Sequence, residues 1–136
     1  MMSHMTIATG TFDLHDWEQE VAEEGPGSQV GRVTNRKTFH GDIEGSTTCT
    51  LLTVAVPDAS GEFQGTAYVG VERITGSVHG RRGSFTVTHL ANLATGMSVS
   101  VVAGSATDEL AGLTGELSIT RHDDGSHTYS FDYDLE

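Results

Sequence analysis

The period of the hydrophobic pattern constrains this chain more than any other feature. Phe85, Val87, His89 and Ala91 alternate with Ser84, Thr86, Thr88 and Leu90, and Met97, Val99, Val101 and Ala103 alternate with Ser98, Ser100 and Val102. A repeat of two puts one set on each face of a strand, whereas a helix needs spacings of three and four. Residue usage agrees: 18 Thr, 12 Val and 4 Ile make 34 of 136 residues β-branched, against only 2 Pro, which suits pleated surfaces and disfavours long helices. The exception is His15–Glu24, HDWEQEVAEE, where Trp17 and Val21 stand four apart until Gly25, Pro26 and Gly27 stop the pattern. It reads as a strand end running into a loop, with a short helix as the alternative.

Turn signals divide the chain into eight runs, near residues 5–16, 30–40, 42–56, 62–78, 83–91, 97–103, 114–121 and 127–134. The stretches DASG at Asp58–Gly61, GRRG at Gly80–Gly83 and HDDGS at His122–Ser126 read as hairpin turns between sequential strands. An antiparallel meander of this length has to hide its edges, and eight strands is a number at which a sheet closes on itself around a filled interior or a small ligand. The expected fold is therefore all-β, a single-domain eight-stranded antiparallel up-and-down β-barrel of lipocalin-like form spanning 1–136, with a two-sheet sandwich as the alternative. Residues 1–5, MMSHM, are expected to be disordered or foreign to the natural chain.

Burial also chooses registers. Pairing Gly80 with Gly83 around Arg81-Arg82 sets Val78 opposite Phe85 and Ile74 opposite His89, with apolar faces coincident. At the last hairpin, a three-residue Asp123-Asp124-Gly125 loop pairs Ile119 with Tyr129 and Leu117 with Phe131, and requires Gly125 in the left-handed region. Glu18–Val30, with four glutamates and a cluster of glycines, reads as the most mobile loop, either covering a barrel mouth or simply solvated. In Val102–Glu116, Ser105, Thr107 and Asp108 are expected to cap a short turn whose Leu110 and Leu113 plug one barrel end.

Several function classes are disfavoured. Seven basic against 19 acidic side chains leave a net charge of −12, which repels phosphate backbones, so nucleic acid is not an expected partner. No apolar run approaches the roughly 18 residues that span a bilayer, and no secretory signal opens the chain, so no membrane partner and a cytoplasmic location are expected. Cys49 is the single cysteine and reads as inert packing, and the seven histidines show no zinc spacing. No metal and no cofactor are expected; a nucleophile elbow, a phosphate loop and a dinucleotide fingerprint are all missing.

The chemistry-bearing oddity is Glu72 with His89, polar residues placed by alternation on an apolar face beside Tyr68, Ile74, Phe85 and Val87. An unpartnered buried carboxylate costs several kcal/mol, roughly, so such a residue is paired, protonated or functional. The expected registers set the two diagonally across a strand pair, within reach of one hydrogen bond. Glu72 and His89 are thus the candidate catalytic groups for a proton shift or ring closure, and Tyr68, Phe85, Val87, Tyr129 and Phe131 the candidate substrate-binding lining. Asp42 and Glu44 share a strand face with His40; a bulge at Gly45 would instead turn Glu44 toward the interior, as a further lining residue.

Six motifs in order, ATGTF (Ala8–Phe12), KTFHGDIEG (Lys37–Gly45), YVGVERITG (Tyr68–Gly76), GRRGSF (Gly80–Phe85) followed by His89, GSATDELAGLTGE (Gly104–Glu116) and HTYSFDYDLE (His127–Glu136), resemble a bacterial family of unknown function with an allene-oxide-cyclase-like barrel. The resemblance covers nearly the whole chain. It implies a barrel that steers a small, mostly apolar molecule by cavity shape and one or two proton-handling groups, without a cofactor, in a homo-oligomer. The function expected is accordingly an isomerase or cyclase, with a non-catalytic lipophilic binding barrel or a scaffold module as alternatives.

Overall fold

The computed structural model describes residues 5–135; the expectation for residues 1–5 lies outside them except for Met5, which is exposed and ahead of the first strand. Eight strands, β1 (Thr6–Gly25), β2 (Ser28–Gly41), β3 (Ile43–Pro57), β4 (Phe63–Val78), β5 (Arg81–Asn92), β6 (Gly96–Val101), β7 (Thr114–Arg121) and β8 (His127–Asp134), close in sequence order into an antiparallel barrel. The meander expected from the period of two is therefore the fold, and the sandwich is not. The last hairpin has the expected register, Ile119 opposite Tyr129 and Leu117 opposite Phe131, with Gly125 at φ +88°. Among the described residues no helix is long and apolar enough to cross a membrane.

Two local expectations are corrected. Glu18–Val30 is a strand hairpin and not a loop. β1 runs on to Gly25, and the chain reverses through Pro26 and Gly27, whose φ of +78° suits the third position of a type II turn. The alternation was hidden because β1 gains an extra residue against β2 between His15 and Glu18 and another between Val21 and Glu23. The first bulge, with Asp16 at φ +54°, flips the parity of the strand: Phe12 and Leu14 face the interior before it, and Trp17, Gln19 and Val21 after it. The β4–β5 register also differs. Val78 pairs with Arg81, Ile74 with Phe85 and Glu72 with Val87, so the turn is His79-Gly80 and the two arginines belong to β5. Both turn residues have positive φ, +47° and +81°, the two-residue hairpin geometry that follows strand twist, and histidine tolerates it better than most. The slide is even, so each side chain keeps its expected face.

The strands are unequal, and that inequality makes the site. β8 pairs with β1 only over Thr6–Phe12, and β6 pairs with β7 only at Ser100 and Glu116, whereas β1–β2 and β3–β4 run on as long hairpins. One end of the barrel is thus complete and the other is a cup with a high wall on one side. At the complete end the Asp108–Leu110 turn inserts Leu110 and Leu113, each 1% exposed, as the plug the sequence suggests. Its polar residues do not cap that turn. β6 is too short to cover the start of β5, and the loop stands in for it: Ser84 N donates to Thr107 Oγ1 at 3.0 Å, Thr86 N to Ser105 Oγ at 3.1 Å and Arg82 N to Glu109 Oε1 at 3.0 Å. Hydroxyl and carboxylate oxygens satisfy donors that an edge strand would otherwise present to solvent.

Candidate functional site

Inward residues form three storeys along the barrel axis. The plugged end is a solid apolar core that includes Phe39, Ile43, Ile74, Phe85, Val87 and Phe131. The open end is a cavity of about 640 Å³ walled by Trp17 and Val21 of β1, Val33 of β2, Leu51 of β3, and Phe63 and Tyr68 of β4. Between them lies a polar belt: Asn35, Lys37, Thr47, Glu72 and His89, all buried, with Cys49 beside them.

Cross-strand register assembles the belt. Asn35 of β2 pairs with Cys49 of β3, Cys49 with Glu72 of β4, and Glu72 with Val87 of β5, so His89 is diagonal to Glu72 on the same face. Gly70 pairs with His89 and Leu51; a Cβ there would collide with the Thr50 carbonyl and the Leu51 side chain, and its absence leaves them room. Two donors converge on one carboxylate oxygen: His89 Nε2 donates to Glu72 Oε1 at 2.8 Å and Lys37 Nζ donates to the same atom at 3.0 Å. The ammonium also lies 5.1 Å from the centre of the Phe12 ring, a cation–π contact that partly replaces lost water. Because an ionised carboxylate only accepts, the proton on His89 that faces Glu72 sits on Nε2.

Burial alone would push the Glu72 carboxyl up; the hydrogen bond from His89 and the Lys37 charge outweigh it, and the pKa lies below the ordinary glutamate value. Glu72 is therefore ionised. Cys49 behaves oppositely: burial and the negative charge of Glu72 push its thiol up to about 11, against a smaller opposing pull from Lys37, so it is protonated at neutral pH. Tyr68, at the cavity wall, is raised by burial and its hydroxyl donates to Met97 Sδ at 3.3 Å, bridging β4 to β6. Cys49 Sγ, a Glu72 oxygen and a His89 nitrogen lie within 4.8 Å of one another, a grouping with the donor types and proximity to hold a metal ion.

The residues singled out in the sequence divide between the storeys. Glu72 and His89 face inward and bond to each other, but of the candidate catalytic and substrate-binding residues His89 and Tyr68 alone line the cavity; Glu72 is 0% exposed beneath Lys37 and His89. Phe85, Val87, Tyr129 and Phe131 do not line it. They lie in the plugged end, where the Phe85 and Phe131 rings stack at 5.6 Å. There the Tyr129 hydroxyl donates to the His40 carbonyl at 2.9 Å and accepts from Ile43 N at 2.8 Å, pinning the β2–β3 turn. Their facing is as expected; their depth is not, because depth depends on the register of each strand. Glu44 is exposed on the outside, since Gly45 continues the pairing of β3 with β4 and does not turn that face inward. His40 and Asp42 do not join Glu44 in a cluster: His40 bonds Asp13 at 3.0 Å, and Asp42 accepts from Thr9 N at 2.9 Å. Lys37 and Asn35 are the residues that sequence reasoning missed. The signal was present, because Val33, Asn35, Lys37 and Phe39 alternate and so put a lysine on an apolar face.

The sequence profile of a family described as a protein of unknown function, DUF3224, matches residues 8–133. The chain belongs to the DUF3224 family. A crystal structure at 1.84 Å of a DUF3224 protein of unknown function from Shewanella oneidensis MR-1 has the same fold, with a TM-score of 0.84 and 30% sequence identity over 98% of this chain and 99% of that one. No curated protein matches the chain. For this DUF3224 protein the fold is thus shared with a solved relative, and the chemistry rests on its own belt and cavity.

Proposed function

We propose that this protein is a cofactor-free isomerase or cyclase acting on a small, mostly apolar metabolite held in the open half of the barrel. The observation that carries the reading is the hydrogen-bonded unit of His89, Glu72 and Lys37 beneath an apolar cavity of about 640 Å³, a size within the range of pockets that enclose small ligands. His89 is the group that touches substrate. Its Nδ1 takes a proton from carbon next to a carbonyl, Glu72 stabilises the imidazolium that results, and the Lys37 ammonium holds the enolate oxygen. Return of the proton to another carbon completes an isomerisation; attack by the enolate carbon within a folded substrate completes a ring. Glu72, which substrate cannot reach, positions His89 and is not itself the base. The allene-oxide-cyclase-like character suggested by the motif order supports the same reading, since barrels of that kind steer reactive apolar substrates by shape.

Hydrogen–deuterium exchange tests this without knowledge of the substrate. Apolar ketones incubated with the protein in D2O are expected to gain deuterium next to the carbonyl, and His89→Ala to slow the gain by about 10²–10⁴-fold, the usual worth of a positioned base. Lys37→Met should slow it as well. Ketones that bind with no exchange above the background rate would sink the catalytic reading and leave a non-catalytic lipophilic binding barrel, which the apolar walls also favour.

A further inference from the structure

A second use of the belt is independent of any proton chemistry. Cys49, Glu72 and His89 stand on three neighbouring strands, pointed at the same interior by register, with their sulfur, oxygen and nitrogen donors within 4.8 Å of one another and all three side chains buried. A four-coordinate zinc-type ion needs ligand atoms about 3.3–3.6 Å apart, from metal–ligand lengths of about 2.0–2.3 Å, so side-chain rotations that draw the widest pair in by about 1.2–1.5 Å and open the 2.8 Å His89–Glu72 contact close the set. A second observation points to an unfilled role. Both strong donors crowd Glu72 Oε1, and Oε2 is buried with no well-formed hydrogen bond among the described residues, the Thr47 hydroxyl adding only a weaker pull on the carboxyl. A buried carboxylate oxygen without a partner is costly, and a cation is its natural complement.

We infer that Cys49, Glu72 and His89 form a binding site for a thiophilic divalent ion such as zinc or cobalt, reached through the cavity, whose occupancy competes with the Lys37–Glu72 ion pair. His89 and Cys49 line the cavity and Glu72 supports them from below. The fourth position therefore opens toward the cavity, where water or a donor atom of a bound molecule completes the shell. Binding exchanges the thiol proton of Cys49 for the metal and releases it to solvent, while the ring proton of His89 passes from Nε2 to Nδ1, so that the thiolate, a carboxylate oxygen and the freed Nε2 lone pair form the new bonds. The Lys37 ammonium, 3.0 Å from Glu72 Oε1, opposes the ion and has to swing away, which makes this lysine the gate on metal affinity. No linear motif announces the site, because the ligands come from separate strands and not from a Cys/His cluster.

The test is titration of the reduced, chelator-treated full chain with Co2+, read by absorption. The expected result is saturation at a single equivalent with a near-ultraviolet thiolate-to-cobalt charge-transfer band and intense visible bands of a four-coordinate ion. Cys49→Ser should lose the charge-transfer band, and Lys37→Met should bind at least about tenfold more tightly, since a like charge close to the ion is gone. Surface histidines bind cobalt without a thiolate band, so they do not imitate this result. Absence of the band in the wild-type protein, its survival in Cys49→Ser, or unchanged affinity in Lys37→Met each overturns the assignment. Should Cys49→Ser not fold, as judged by circular dichroism, the wild-type spectrum and the Lys37→Met shift still decide it. Neither readout depends on turnover, so failure here leaves the proton-transfer reading intact, and the reverse.

Discussion

Glu72 is the residue on which the interior depends, because it holds two buried donors with one oxygen. Glu72→Gln leaves the Lys37 ammonium, 7% exposed, without its anion. Breaking a buried pair from one side costs about 3–5 kcal/mol, and denaturant unfolding should show a loss of that order. Lys37→Met combined with Glu72→Gln should restore a large part of it, because the uncompensated charge is gone; a double variant no more stable than Glu72→Gln would refute the ion pair as the cause. The pH dependence follows from the depressed pKa of Glu72. A carboxyl with a lower pKa folded than unfolded adds stability above its unfolded value, and that contribution is lost as pH falls through the folded one. Wild-type stability should therefore drop as pH goes below the ordinary glutamate range, and less steeply in the double variant. Facing was legible at this scale: alternation puts Glu72 and His89 indoors, and applied to β2 it also puts Lys37 there. Their union in one hydrogen-bonded unit was only partly legible, because the expected register had the right diagonal relation on the wrong side of the pair.

At the scale of the elements, glycine placement and borrowed hydrogen bonds decide what each strand tolerates. Gly76 of β4 pairs with Gly45 of β3, and a Cβ on Gly76 would strike the Glu44 carbonyl and the Gly45 backbone. Gly76→Ala is expected to cost about 3 kcal/mol or more in denaturant unfolding. Gly65→Ala in the same strand, where a Cβ meets nothing within 4 Å, should stay within about 0.5 kcal/mol of wild type. The loop that imitates an edge strand makes a separate prediction. Ser105→Ala with Thr107→Val should speed hydrogen exchange at the Ser84 and Thr86 amides, whose acceptors are those hydroxyls, and leave the β3–β4 amides unchanged. Turn chemistry was legible at the β7–β8 hairpin, where Asp123-Asp124-Gly125 specifies a loop length. It misled at β4–β5, because a histidine accepted the positive φ that Arg81-Arg82 between glycines suggested for the next step of the chain. It was silent at β1, where bulges break the period without leaving a mark in composition.

For the molecule as a whole, the division into a solid half and a hollow half is the property that function depends on, and the halves should fail differently. Phe131→Ala opens a void in the plugged core and is expected to cost about 3–5 kcal/mol while leaving binding of an apolar fluorescent probe intact. Val33→Trp fills the cavity wall and should abolish probe binding with a much smaller loss of stability. The opposite pattern, with Phe131→Ala losing the probe, would place the binding space in the wrong half. The sequence by itself determined the strand count, the closed meander, the inward and outward faces of the strands without bulges and the leucine plug, because each follows from short-range periodicity and turn residues. Tertiary structure alone decided how deep each inward residue sits. Depth comes from the stagger of eight strands and the bulges within them, a sum of non-local registers in which one slide moves a phenylalanine from cavity wall to core. For that reason Phe85, Val87, Tyr129 and Phe131 pack the closed end, while a lysine, a glutamate, a histidine and a cysteine from four different strands meet at the floor of the cavity.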